Sequence, residues 1–325
     1  MEDDWSIPPE FQPKREALAY DLDEALRSVV SLRALVPAEA YTAETLGTER
    51  EGQGAVIRAD GLVLTIGYLI TEAEEIWLTT QDGRVVQGHA TAYDYVTGFG
   101  LVQALGSLNA PALAVGDSRR VTPGQKVVLA GAGGRRRSVA AEVVARQEFA
   151  GYWEYLIQDA IFTVPAHPHW GGTALLGPRG DLVGIGSLQL PHRTSTGHVL
   201  PLNMSVPIDL LKPILDDLLT KGRVDAPARP WLGVYSTEVE GEEVIVAGLA
   251  GDGPAKRAGL RQGDRIVAVA GQAATSLVEL YRAIWALGSA GVDVPLTLER
   301  EGDRFDVTVR SGDRSAYLKR GRRLH

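Results

Sequence analysis

The chain has 325 residues, of which 45% are hydrophobic and 23% charged, enough for two domains or three small ones and unlike a disordered chain. A formal net charge of -8 argues against a general nucleic-acid role, and the lack of any cysteine excludes disulfides and thiol chemistry. No run of about 18 apolar residues occurs, so no transmembrane helix is expected.

The N-terminus, Met1-Glu2-Asp3-Asp4-Trp5, is acidic and has no apolar core of signal-peptide length behind it. Taken alone it reads as cytoplasmic, or as periplasmic if a leader has been removed. Pro8, Pro9 and Pro13 follow. Then Leu18, Leu22, Leu26, Val29 and Val30 fall at helical spacing, which predicts a helix over residues 14–35 within an N-terminal helical segment, 1–50.

From Gly54 the pattern changes to short strands and turns. Gly54–Ile57 and Leu62–Thr65 flank Ala59-Asp60-Gly61, and Ile76–Thr79 and Arg84–Val86 flank Gln81-Asp82-Gly83, two hairpin signals. Further short apolar runs follow at Gly100–Val102, Ala112–Ser118 and Gln125–Gly131. Many short strands at regular spacing predict barrels or sandwiches. The proline in Val206-Pro207 precedes a helix expected over residues 210–220. Two basic clusters, Arg135-Arg136-Arg137 and a tail over 313–325 with Lys319-Arg320 and Arg322-Arg323, read as a solvated loop and a solvated terminus.

Asp225-Ala226-Pro227-Ala228-Arg229-Pro230 is a linker. Beyond it stand Trp231-Leu232-Gly233-Val234, Gly253-Pro254-Ala255, Ala258-Gly259-Leu260 and Gly263-Asp264-Arg265-Ile266. Leu277, Leu280, Tyr281, Ile284 and Trp285 fall on one face of a helix, and strands are expected at Val294–Glu299 and Phe305–Val309. This series resembles a bacterial PDZ domain, over residues 225–312.

The most telling stretch is Ala166-His167-Pro168-His169-Trp170-Gly171-Gly172-Thr173-Ala174-Leu175-Leu176, followed by Gly180-Asp181-Leu182-Val183-Gly184-Ile185. It is similar to the nucleophile loop of trypsin-like serine proteases of the HtrA/DegP kind, where Gly-Asn-Ser-Gly-Gly-Pro-Leu-Leu precedes a turn and a strand. The likeness extends over residues 54–222 in the order of its pieces. It implies a mainly β fold: a two-barrel chymotrypsin/trypsin-like domain over 51–224 and a C-terminal α+β PDZ domain.

The same resemblance exposes what is missing. Where the family reads Thr-Asn-x-His-Val-Val, this chain reads Thr65-Ile66-Gly67-Tyr68-Leu69-Ile70, and a phenol of pKa near 10 is a poor base at neutral pH. Where the family carries its aspartate, Tyr93-Asp94-Tyr95-Val96-Thr97-Gly98-Phe99 offers Gly98, with no side chain. Trp170 stands at the serine position and Pro168, without an N–H, at an oxyanion position. Losing one oxyanion donor costs about 3 kcal/mol of transition-state stabilisation, and losing a triad member costs a factor on the order of 10⁴. The implied reading is a pseudoprotease: not an enzyme, without cofactor, with Trp170 plugging the vacated cleft.

Two other chemistries remain open on the residues. Thr173 with His167 or His169 could serve as a relocated hydroxyl and base, although no carboxylate is evident to orient the base. His167 and His169, with His192 or His198, could contribute to a metal site, although their spacing matches no known zinc motif. For the second domain the resemblance implies that Trp231, Leu232, Gly233 and Val234 present backbone N–H groups to a C-terminal carboxylate. Leu277, Tyr281 and Ile284 would then line the pocket for the ligand's last side chain. The implied partners are polypeptide C-termini or unfolded segments, in a homo-oligomer for which a trimer is the family-based expectation.

Overall fold

Strand-forming sequence begins earlier than the leucine spacing suggests. In the computed structural model, which describes residues 5–193, 197–239 and 243–318, the predicted helix over 14–35 is a 3₁₀ turn (Arg15–Ala17) and a short helix, α1 (Leu22–Leu26), followed by a strand, β1 (Val29–Leu35). Asp21 caps α1 by accepting from the amides of Asp23 and Glu24. After Ser28 the burial alternates, with Val30, Leu32 and Ala34 inside and Ser31 and Arg33 outside, a period of two that the helical reading overlooked. The β-branched pair Val29-Val30 favours the extended form as well.

A four-residue helix, α2 (Ala43–Leu46), leads into β2 (Glu49–Val56), β3 (Leu62–Ile66), β4 (Glu75–Thr79), β5 (Val85–Tyr93) and β6 (Phe99–Ala104). These close a barrel in the order β1-β2-β3-β6-β5-β4. The run Ala112–Ser118, expected as a strand, crosses to a second barrel as extended chain with a single bridge, Val115 to Leu182, and ends in a 3₁₀ turn at Ser118–Arg120. The second barrel comprises β7 (Lys126–Ala130), β8 (Val139–Gly151), β9 (Tyr155–Val164), β10 (Ala174–Leu176), β11 (Leu182–Arg193) and β12 (Val199–Pro207), closed as β10-β11-β12-β9-β8-β7. Val127, Leu129, Val139, Ile161 and Leu175 fill part of its core. The helix expected at 210–220 divides into a 3₁₀ turn, Ile208–Leu210, and α3 (Leu215–Lys221), which Gly222 stops in the left-handed region at φ 71°.

The chain divides into two compact units, one containing residues 1–147 and 159–224, the other 148–158 and 225–319. The second holds β13 (Val234–Val239), β14 (Glu243–Leu249), α4 (Pro254–Arg257), β15 (Arg265–Val269), β16 (Gln272–Ala273), α5 (Leu277–Ala286), β17 (Asp293–Arg300) and β18 (Asp303–Arg310). The sheet runs β13-β14-β15-β17-β18, with β16 paired to β15. Ser276 caps α5 through its side chain on the Glu279 amide, and the predicted apolar face, Leu277, Leu280, Tyr281 and Ile284, is the buried one. Asp264 is almost fully buried and bound by both nitrogens of the Arg300 fork at 2.6 and 2.8 Å and by the Arg261 amide, which locks the turn before β15. The architecture is mainly β: a two-barrel trypsin-like domain and a PDZ domain. The basic tail residues Lys319, Arg320, Arg322 and Arg323 lie outside the described residues.

Candidate functional site

The glycine pair before β10 is imposed by backbone geometry. Gly172 sits at φ 80°, and a Cβ there would meet the Gln53 carbonyl oxygen at 1.8 Å. Gly171 accepts from the Gln53 amide at 2.9 Å, and Gly172 donates to the Gly186 carbonyl at 2.9 Å. Gln53 clamps the loop from the other side: its Nε2 donates to the His169 carbonyl at 2.7 Å and its Oε1 accepts from the Ala132 amide at 2.5 Å. The loop is thus held by the first barrel through backbone and amide contacts that need no catalytic group.

Tyr68 lies in a 3₁₀ turn, Gly67–Leu69, directly after β3. Its hydroxyl donates to the Ser187 carbonyl at 2.9 Å. Burial pushes this phenol well above its ordinary range, an effect the Trp170 side chain partly offsets. Tyr68 is therefore a fixed donor and not a proton acceptor at any ordinary pH.

Gly98 sits at φ 83° in the turn between β5 and β6, donating to the Asp94 carbonyl at 2.8 Å and accepting from the Gly67 amide at 2.7 Å. Asp94 shapes this turn, with its Oδ2 accepting from the Thr97 amide at 2.8 Å and hydroxyl at 2.6 Å. The one carboxylate in the segment is thereby committed to the turn.

Trp170 and Pro168 line a cleft of about 440 Å³ together with Gln53, Tyr68, His169 and Trp5. Trp170 does not fill the cleft, contrary to the plug expected from the sequence. Trp5 enters it instead, its ring tilted at 40° against His169 with centroids 4.4 Å apart and edge-on at 5.8 Å to His167, with the Arg137 guanidinium 5.1 Å from its ring centre. Nothing in the sequence around Trp5 signals this placement.

The relocated hydroxyl and base are also accounted for. Thr173 is fully buried and its hydroxyl donates to the Trp170 carbonyl at 3.0 Å. His167 is fully buried too: Nε2 lies 2.8 Å from the Arg137 carbonyl, and Nδ1 accepts from the His169 amide at 3.1 Å. That pattern fixes the neutral tautomer with its proton on Nε2. Burial lowers its pKa to about 4, which the hydrogen bond to Arg137 only partly opposes. Asn203 holds the His167 backbone at both ends, accepting from its amide at 2.6 Å and donating to its carbonyl at 3.3 Å. His167 is a structural strut, and both nitrogens that a metal or a hydroxyl would use are occupied. Among the described residues no group of three or more His, Asp or Glu side chains gathers as metal ligands would.

In the second unit, Leu232, Gly233 and Val234 form the turn before and the start of β13, with Gly233 at φ 74°. A left-handed residue between two ordinary ones turns successive N–H groups toward one point, an anion-binding nest. The three amides do converge on an acceptor, the Glu154 carboxylate. Leu277, Tyr281 and Ile284 are buried beside β13, and Trp231 pairs with Gly312.

Comparison with known proteins bears on these sites. Residues 52–185 match the trypsin-like peptidase domain family, and residues 230–310 match the PDZ domain family. A probable periplasmic serine endoprotease, DegP-like, of Halomonas elongata is 30% identical over 274 residues, covering 81% of this chain and 56% of the relative. One of the same description from Pseudomonas putida is 29% identical over 272 residues, covering 79% and 55%. The chain thus spans a little over half the length of the curated relatives it matches.

Among solved structures, the HtrA-type protease AlgW with decapeptide superposes with a TM-score of 0.52 at 20% identity, covering 90% of this chain and 97% of that one. The serine endoprotease from Yersinia pestis gives 0.51 at 22% identity, covering 90% and 98%. These two show the fold.

The comparisons correct two expectations. The reading that the chain is not an enzyme is overturned by relatives that are named serine endoproteases. The cytoplasmic reading finds no support, since the same relatives are named periplasmic; for the chain itself, no described helix is long and apolar enough to cross a membrane.

Proposed function

We propose that this chain, with its trypsin-like peptidase domain followed by a PDZ domain and its likeness to DegP-like relatives, acts on polypeptides as a protein of the serine-endoprotease kind. In this reading its PDZ domain takes C-termini through Leu232, Gly233 and Val234. The observation that carries it is the convergence of those three amides on a carboxylate, the chemistry a free C-terminus presents. Tyr281 and Leu277 on α5 then stand where the ligand's last side chain would lie.

Endoproteolysis comes to this chain from its relatives. Any such activity here runs through groups other than Tyr68, Gly98 and Trp170. The first is a buried donor, the second has no side chain, and the third has only an N–H. Thr173 and His167, the nearest alternatives in sequence, are each spent on backbone partners. A periplasmic location and a homo-oligomer, with the trimer as the family's form, belong to the same reading.

Casein turnover and fluorophosphonate labelling of the purified full chain, wild type and Trp170→Phe, test it. Turnover unaffected by Trp170→Phe, with no label within residues 166–176, is the expected result. Label mapped to a residue of that loop overturns the assignment.

A further inference from the structure

The carboxylate-binding turn of the PDZ domain is already filled by the chain itself. The tip between β8 and β9, residues 148–158, belongs to the second unit. There Glu154 Oε1 accepts from Gly233 N at 2.7 Å and Val234 N at 3.0 Å, and Oε2 accepts from Leu232 N at 3.1 Å. Two residues before it, the Tyr152 carbonyl accepts from the Ser236 amide of β13 at 2.8 Å, a backbone bond of the kind an added edge strand makes. The Tyr281 hydroxyl donates to the Gly151 carbonyl at 2.7 Å. Ala150 and Leu156 pack against the apolar cluster that contains Leu277, Tyr281 and Ile284. Carboxylate, strand-edge carbonyl and apolar side chain are thus all supplied internally.

We infer that Glu154 is an internal surrogate ligand, and that an external C-terminus binds this PDZ domain only by displacing the 148–158 tip from the 232–234 amides. The inference rests on the C-terminus reading above and adds its regulation. Two features favour displacement over a permanent joint. Glu154 sits at φ 59°, a left-handed conformation unfavourable for a non-glycine residue, so a strained residue stands where glycine would turn the chain freely. Burial also raises the Glu154 carboxyl above its ordinary range. The three amides and the Arg314 charge pull it back only in part, so the docked carboxylate carries a desolvation cost. A free C-terminus on a flexible peptide carries no such backbone strain into the same nest.

The test uses the full chain as wild type, Glu154→Ala and Glu154→Gln. Amide hydrogen exchange is read at residues 232–234, and fluorescence polarisation follows a fluorescein-labelled pool of random decapeptides with free or amidated C-termini. Exchange at 232–234 is expected to rise at least tenfold in Glu154→Ala, with α5 and β17 still protected. The free-carboxylate pool is expected to bind this variant at least tenfold more tightly than wild type, and the amidated pool to bind neither. Glu154→Gln, which keeps an acceptor oxygen and the side-chain shape, should fall between the two and replaces Glu154→Ala if that variant unfolds. Unchanged exchange at 232–234, or equal binding of the free-carboxylate pool to wild type and variant, overturns the inference. Raised exchange without binding of either pool leaves the internal occupancy standing and instead sinks the C-terminus reading, and displacement with it.

Discussion

Replacing Gly172 by alanine places a Cβ at 1.8 Å from the Gln53 carbonyl oxygen and 2.7 Å from Thr65 Oγ1. The first contact is with backbone, so the side chain cannot swing away, and the strand or the loop must move by roughly 1.5 Å to reach an ordinary separation. The φ of 80° adds a left-handed alanine, at roughly 1–2 kcal/mol. Moving Gln53 also strains the bond its carbonyl accepts from the Thr65 hydroxyl at 2.6 Å and the bond its amide donates to Gly171, at about 1 kcal/mol each. Together these give a loss of about 3–4 kcal/mol.

Gly171→Ala is the internal control. Its Cβ meets only the Tyr68 hydroxyl closely, at 2.8 Å, and its φ is not left-handed, so about 1–2 kcal/mol is expected. Because the chain has two units, global unfolding is not a clean two-state measure, and exchange of the slowest amides in β10 and β11 reports on the barrel directly. A loss of 3 kcal/mol accelerates them about 10²-fold. Less than a tenfold acceleration in Gly172→Ala, or equal effects at the two positions, would refute the view that the glycine pair is retained for backbone reasons alone.

Two further outcomes follow from the cleft. Tyr68→Phe leaves the Ser187 carbonyl without its donor and should cost about 1–2 kcal/mol in urea unfolding followed by tryptophan fluorescence; a fall of 10²-fold or more in any casein turnover would instead mark the phenol as a proton-transfer group. His167 is held neutral, with a folded pKa of about 4 against 6.5 in the free side chain, so its contribution is complete above pH 6.5. As pH falls toward 4 the unfolded chain takes up the proton first, and stability drops by up to about 3 kcal/mol before levelling off. The difference between wild type and His167→Gln across pH 8 to 4 isolates this step, and a flat difference would show that the histidine is not buried neutral.

Much of the molecule was legible in local pattern. Hairpin turns such as Ala59-Asp60-Gly61 and the apolar face of α5 are set by interactions within a few residues, and each appears where its residues put it. The helix over 14–35 was misread because leucines four apart satisfy a helical period, while Val30, Leu32 and Ala34 satisfy a period of two at the same time. Pairing β1 with β2 and β4 buries the second pattern completely, and that gain exists only once the partner strands are in place.

The identities at positions 68, 98, 168 and 170 are written in the chain, and with them the absence of a hydroxyl, imidazole and carboxylate at those places. What fills the space they leave is not. Trp5 reaches His167 and His169 from over 160 residues away in sequence, and Glu154 reaches the 232–234 amides from some 80. Such contacts depend on the closure of barrels and sheets, and no local propensity encodes which distant side chain will occupy a given nest of N–H groups. Residue chemistry therefore fixed what each position can do, and tertiary closure alone decided which of those groups still have a free partner to do it with.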